Sequence, residues 1–168
     1  MDQMSLYFQA TTTRVWARRG QTPTLRVTPQ RDHVHFYGGL NVLTGHEMAL
    51  TLPEQTSAMT VHFLHHVQAC YPNRPLLILW DRARWHKGQP VRDFLATHPC
   101  VQTFHFPPAC PQLNPQEHVW ERTRDAVSHN HTHQDFPALV RAFHQHLEGT
   151  LFQFEWVDRY APPILFAV

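Results

Sequence analysis

Residues 76–120 constrain this chain more than any other stretch. They open on five consecutive apolar residues, Leu76-Leu77-Ile78-Leu79-Trp80, which run directly into Asp81. A short apolar run between a Pro-rich stop and a polar loop reads as a buried strand, here with a carboxylate at its C-terminal end. The stretch closes on Phe106-Pro107-Pro108-Ala109-Cys110-Pro111-Gln112-Leu113-Asn114-Pro115-Gln116-Glu117-His118-Val119-Trp120. This reads as a stiff loop that stops at a helix: Asn114 is a good N-cap, Pro115 suits the first helical position, and Glu117 falls three residues after the cap. One carboxylate is carried by a strand end and one by the first turn of a helix. Two carboxylates delivered this way suit Mg²⁺, a hard ion that takes oxygen ligands and acts on phosphates. Structural roles compete: Asp81 as the cap of a turn, Glu117 as the return arm of a capping box. The residues alone leave both open.

Around this stretch the pattern alternates. Residues 34–42 and 47–52 read as a hairpin closed by the turn Leu43-Thr44-Gly45-His46. Residues 24–28 read as a further short strand, and residues 6–19 as a loop or edge segment with a basic tip. A helix is expected from Pro53 to about Cys70, with Met59, Phe63, Val67 and Cys70 on one buried face. Residues 90–98 predict a short helix, 101–106 a strand, 115–128 a helix and 135–147 a last helix with one apolar face. Antiparallel strands followed by β/α units indicate an α/β fold, a mixed sheet flanked by helices.

A chain of 168 residues fits one domain spanning 1–168. Its three cysteines form no CxxC pair, so neither a disulfide framework nor a zinc knuckle is indicated. No apolar run approaches the roughly 18 residues of a membrane span, and residues 1–4 carry no signal-like core. The expected location is therefore the cytoplasm, with no membrane partner. A formal net charge of +1 neither argues for nor excludes nucleic acid, but Arg14, Arg18 and Arg19 sit in a segment without acidic residues, which suits phosphate contact and equally a solvated hairpin face. The fifteen histidines include the alternating set His129, His131 and His133. That set lacks the spacing and partners of common metal sites, so solvated histidines are the simpler reading.

The segment Leu77 to Lys87 and the segment Phe106 to Trp120 together resemble the DDE transposase core of mariner-like bacterial insertion sequences. That family shows an apolar strand, a D-N-A-x-x-H pattern, and then L-P-P-Y-S-P-x-L-N-P-I-E-x-x-W. Here 35 residues lie between Asp81 and Glu117, within the family's usual separation. Trp16-Ala17-Arg18-Arg19-Gly20-Gln21-Thr22-Pro23 resembles the family's W-A-x-R-G-Q-x-P, and Asp2 lies fourteen residues before Trp16, where the first carboxylate is expected. Gln3 stands where the family has Glu, and Arg82 where it has Asn.

The resemblance implies an RNase H-like fold with a truncated first strand, and a helix-turn-helix region absent from residues 1–168. It implies Asp2, Asp81 and Glu117 as a catalytic triad that binds Mg²⁺, with Mn²⁺ as substitute. His86, Arg82, Lys87 and Asn114 are expected beside the site or on DNA. The implied activity is cleavage and strand transfer of transposon DNA ends, with DNA as partner in the nucleoid and a possible homodimer. The alternative is a truncated, catalytically inactive transposase remnant with at most weak DNA binding or self-association, and the truncated first strand is expected to leave Asp2 on a flexible terminus.

Overall fold

A computed structural model describes residues 1–25 and 29–160. In chain order its elements are β1 (Asp2–Tyr7), β2 (His33–Leu40), β3 (Glu47–Leu52), α1 (Ser57–Cys70), β4 (Leu76–Trp80), α2 (Gln89–Thr97), β5 (Val101–His105), α3 (Pro115–Thr123), α4 (Phe136–Gly149) and α5 (Glu155–Tyr160). The expected mixed sheet is present in two pieces. β1, β2 and β3 form an antiparallel ladder, and β4 pairs with β5 in parallel, Leu76 opposite Val101 through Trp80 opposite His105. The pieces meet where the Met1 ammonium donates to the Leu79 carbonyl at 2.9 Å.

Two apolar clusters sandwich the strands. On one face Met4, Leu6 and Phe36 pack with Trp120 of α3 and with Leu139 and Phe143 of α4. On the other, Tyr37, Ile78 and Trp80 pack with Phe63 and Val67 of α1 and with Phe94 of α2. The period-two alternation of strands explains the division: Phe36 and Tyr37 are neighbours in β2 and enter different clusters.

Several features differ from expectation. The residues read as the start of a loop after Leu6 belong to β1, because Met4 and Leu6 alternate with half-buried Gln3 and Ser5 and so bury one side of a paired strand. Asp2 is not on a flexible terminus: it pairs opposite Gly38 and is buried. α1 begins at Ser57 rather than Pro53, since Thr56 supplies the cap by accepting from the Met59 amide at 3.3 Å. Of the strand expected over 24–28, Thr24 and Leu25 are irregular and 26–28 lie outside the described residues. α3 passes into one π-helical turn, Arg124–Ser128, before the chain reverses.

Candidate active site

Three elements deliver the carboxylates. β4 ends at Trp80, which is fully buried, and the chain turns out of the sheet at Asp81. Asp81 Oδ1 accepts from the Ala83 amide at 2.9 Å, and His86 Nδ1 lies 2.8 Å from the same oxygen. These contacts hold the carboxyl below its ordinary range: the His86 hydrogen bond acts most strongly, against partial burial. The Asp81 side chain is half exposed. α3 is capped by Asn114, whose side chain accepts from the Gln116 amide at 3.2 Å. Pro115 follows at the first helical position and Glu117 stands exposed in the first turn. Asp81, Arg82, Asn114 and Glu117 line one cleft of about 360 Å³, walled by Phe106 and the prolines 107, 108 and 111.

Asp2 lies on the face of β1 that also carries Met4 and Leu6, the face that α3 covers. Its carboxyl is pushed up to about 7, first by burial and then by the negative charge of Glu117, with Asp81 adding to the effect. The three acidic groups therefore share one electrostatic neighbourhood, while Asp81 and Glu117 share the open cleft. Among the described residues no three His, Cys, Asp or Glu side chains are gathered closely enough to encircle an ion. The donor set nonetheless fits Mg²⁺ or Mn²⁺, because a hard ion is held by one or two carboxylates with waters and substrate phosphates filling the rest. The mutual repulsion felt at Asp2 is the charge imbalance a cation would relieve.

His86 is buried and does not reach solvent. Its ring stacks on Trp80, with centroids 4.5 Å apart and planes 9° apart, while Nδ1 faces Asp81. Arg82 is exposed, its Nε donating to the Phe106 carbonyl at 3.1 Å; Lys87 is exposed on the same turn. Arg14, Arg18 and Arg19 are exposed on the segment between β1 and β2. The root of that segment is tied by Asn130, which bonds Thr13 through both its side-chain oxygen and nitrogen. None of these three arginines lines the Asp81–Glu117 cleft.

Three residues to which sequence reasoning gave no role at the site are built into this region. Gln116 is fully buried; its Oε1 accepts from the Leu40 amide at 2.8 Å and its Nε2 donates to Glu47 Oε1 at 2.7 Å. Glu47 has its Oε2 shut away from solvent without a hydrogen-bond partner among the described residues, although the residue as a whole is only half-buried, and burial pushes its carboxyl up to about 8. Gln3 faces the opposite side of β1 from Asp2 and bonds Trp85 and His86. A polar residue at the mouth of a hairpin or next to an acidic strand residue carries no sign in the sequence that it will be enclosed.

The sequence matches the family model described as DDE superfamily endonuclease over residues 1–140. The chain belongs to that superfamily. Among curated proteins, this endonuclease-family chain is 20% identical over 148 residues to the 39 kDa protein of insertion element IS630 from Shigella sonnei, covering 88% of this chain and 43% of that protein. It is 27% identical over 107 residues to the y4pE/y4sA protein of Sinorhizobium fredii, covering 63% of this chain and 76% of that one. Among solved structures it superposes on Mos1 transposase in its paired-end complex with the left transposon end. The TM-score is 0.72 at 15% identity, over 97% of this chain and 51% of that one. The Mos1 mariner paired-end complex with Mn gives a TM-score of 0.67 at 15% identity, over 98% and 52%. The fold is RNase H-like. The chain thus spans about half the length, or less, of the IS630 protein and of Mos1 transposase. No described helix is long and apolar enough to cross a membrane.

Proposed function

We propose that this chain is the catalytic domain of an insertion-sequence transposase that cuts transposon DNA ends and joins them to target DNA with Mg²⁺ or Mn²⁺. The observation that carries the reading is the cleft that Asp81 and Glu117 share, with Asp2 buried on the face of β1 that α3 covers. Membership of an endonuclease superfamily supports reading that cleft as the site of phosphodiester chemistry.

In this reading Asp2, Asp81 and Glu117 hold the divalent ions. When bound, such ions lower the pKa of a water or hydroxyl nucleophile and absorb charge on the leaving oxygen. The chain's own groups prepare the place. Ala83 and His86 fix one oxygen of Asp81 and leave the other for a ligand. The Asn114 cap fixes the first turn of α3 and so the position of Glu117. Stiff loop prolines wall the cleft against collapse. Arg82 lines the cleft, where a phosphodiester backbone would pass, while exposed Lys87, Arg14, Arg18 and Arg19 offer further positive charge. Residues 1–168 act as one catalytic domain on DNA at the nucleoid, working as a homodimer.

The test is nicking of labelled transposon-end DNA with Mg²⁺ or Mn²⁺. Metal-dependent cleavage that falls at least about a thousandfold in Asp81→Asn and in Glu117→Gln supports the reading; loss of this size is expected where removed groups act as a unit. Cleavage that survives either substitution removes the site from the reaction. A folded wild-type chain that neither cleaves nor binds the ions returns the protein to the class of inactive remnants.

A further inference from the structure

Gln3 holds a buried polar arrangement that the proposed chemistry does not use. Its Oε1 lies 2.5 Å from Trp85 Nε1 and 3.0 Å from His86 Nε2. An indole nitrogen can only donate, so the oxygen of the carboxamide must be the end that faces it. The same oxygen can only accept, so His86 Nε2 is a donor here, as Nδ1 is toward the Asp81 carboxylate: both ring nitrogens donate. The price of this orientation is visible: Gln3 Nε2 is buried without a hydrogen-bond partner among the described residues. The reverse orientation would set the amide nitrogen against the indole N–H. One carboxamide oxygen therefore locks two side chains of the 84–86 turn to β1.

The lock extends to the acidic cleft. His86 is gripped from three sides: Gln3 at Nε2, Asp81 Oδ1 at 2.8 Å from Nδ1, and the Trp80 ring against its face. A ring held this way has no freedom to rotate, and the Asp81 oxygen follows it. Gln3 is also the strand neighbour of Asp2. β1 and β4 belong to separate ladders, joined by the Met1 to Leu79 bond, so little backbone pairing fixes Asp2 relative to Asp81. The Gln3 side chain bridges that junction on the face opposite Asp2.

We propose that Gln3 is a positioning residue, whose carboxamide holds Trp85 and His86 and, through His86, sets the Asp81 carboxylate relative to Asp2 for divalent-ion binding. The proposal rests on the reading of Asp2, Asp81 and Glu117 as an ion site. Partners one step removed from a ligand typically change metal affinity 10–100-fold when lost.

The experiment measures Mn²⁺ binding to the full chain by electron paramagnetic resonance of the free ion, without DNA. Three proteins are compared: wild type, Gln3→Met, which keeps length and removes the acceptor, and Gln3→Glu, which restores an acceptor oxygen. Circular dichroism confirms that each is folded. The expected result is Mn²⁺ binding weakened about tenfold or more in Gln3→Met and recovered in Gln3→Glu. A packing role alone would leave affinity unmoved in folded protein. Wild-type affinity in Gln3→Met, or no recovery in Gln3→Glu, overturns the proposal while leaving the ion site standing. Absence of Mn²⁺ binding in the wild type overturns the ion site and this proposal together. Should Gln3→Met fail to fold, His86→Gln interrupts the same line one step on and must show the same loss.

Discussion

Gly38 is where the fold and the site press hardest on each other. It stands opposite Asp2 in the β1–β2 ladder. A Cβ built there would meet Glu47 Oε1 and Trp120 Cη2 at 2.4 Å and Gln116 Nε2 at 2.5 Å. The two polar atoms end flexible side chains and can retreat, but only by breaking the 2.7 Å bond between them and loosening the 2.8 Å bond from the Leu40 amide to Gln116. Trp120 cannot retreat, being fully buried among Met4, Phe36 and the α4 side chains. Gly38→Ala should therefore cost about 1–3 kcal/mol, the usual range for overpacking a filled core. At about 2–4 °C per kcal/mol for a chain of this size, the melting temperature should fall by about 2–12 °C. Gly39 supplies the control. A Cβ there meets only Met48 and Phe63 atoms at 3.5–3.6 Å, ordinary contact distances. Gly39→Ala should stay within about 1 kcal/mol of wild type, since the lost freedom of the unfolded glycine offsets small adjustments. Thermal unfolding followed by far-ultraviolet circular dichroism compares the three proteins. Wild-type stability in Gly38→Ala, or an equal loss in Gly39→Ala, would refute the packing described around Asp2.

Two further outcomes concern protons. Glu47 titrates near 8 when folded against 4.5 when free, so the folded state keeps a proton that the unfolded state has lost between those values. Its stabilising share is full below about pH 4.5 and drains as pH rises to about 8, with a limiting slope of about 1.4 kcal/mol per pH unit; urea midpoints at pH 5 and pH 8 should show a smaller fall in Glu47→Gln than in wild type. Asp2, pushed up to about 7, holds its proton against an incoming ion. Mn²⁺ affinity, followed by calorimetry, should rise from pH 6 to pH 8 because the ligand must be deprotonated to bind, and Asp2→Asn should bind more weakly with a flatter profile.

The strand before Asp81 and the helix start at Glu117 were legible because each is signalled by local chemistry: an unbroken apolar run, and the Asn-Pro-x-Glu order of a capped first turn. The hairpin was legible for the same kind of reason. β1 was not, because its pattern is short and its hydrophobic residues Met4 and Leu6 count as a strand only once β2 lies beside them. Burial of Asp2 likewise depends on α3, which folds over it from more than a hundred residues away. His86 was legible as a residue near the site, but its enclosure between Trp80 and Gln3 is a tertiary fact. The Gln116–Glu47 bond joins residues 69 positions apart and could not be read from either neighbourhood.

The convergence of Asp2, Asp81 and Glu117 on divalent ions is open to direct observation. Crystals of the chain soaked in Mn²⁺ and measured near the manganese absorption edge would locate any bound ion by its anomalous scattering. The expected map has a peak in the Asp81–Glu117 cleft, with oxygens of both carboxylates in direct contact with the ion and Asp2 turned toward it. A map with Mn²⁺ bound only at histidines elsewhere, or with Asp81 and Glu117 bare at saturating ion, would contradict it.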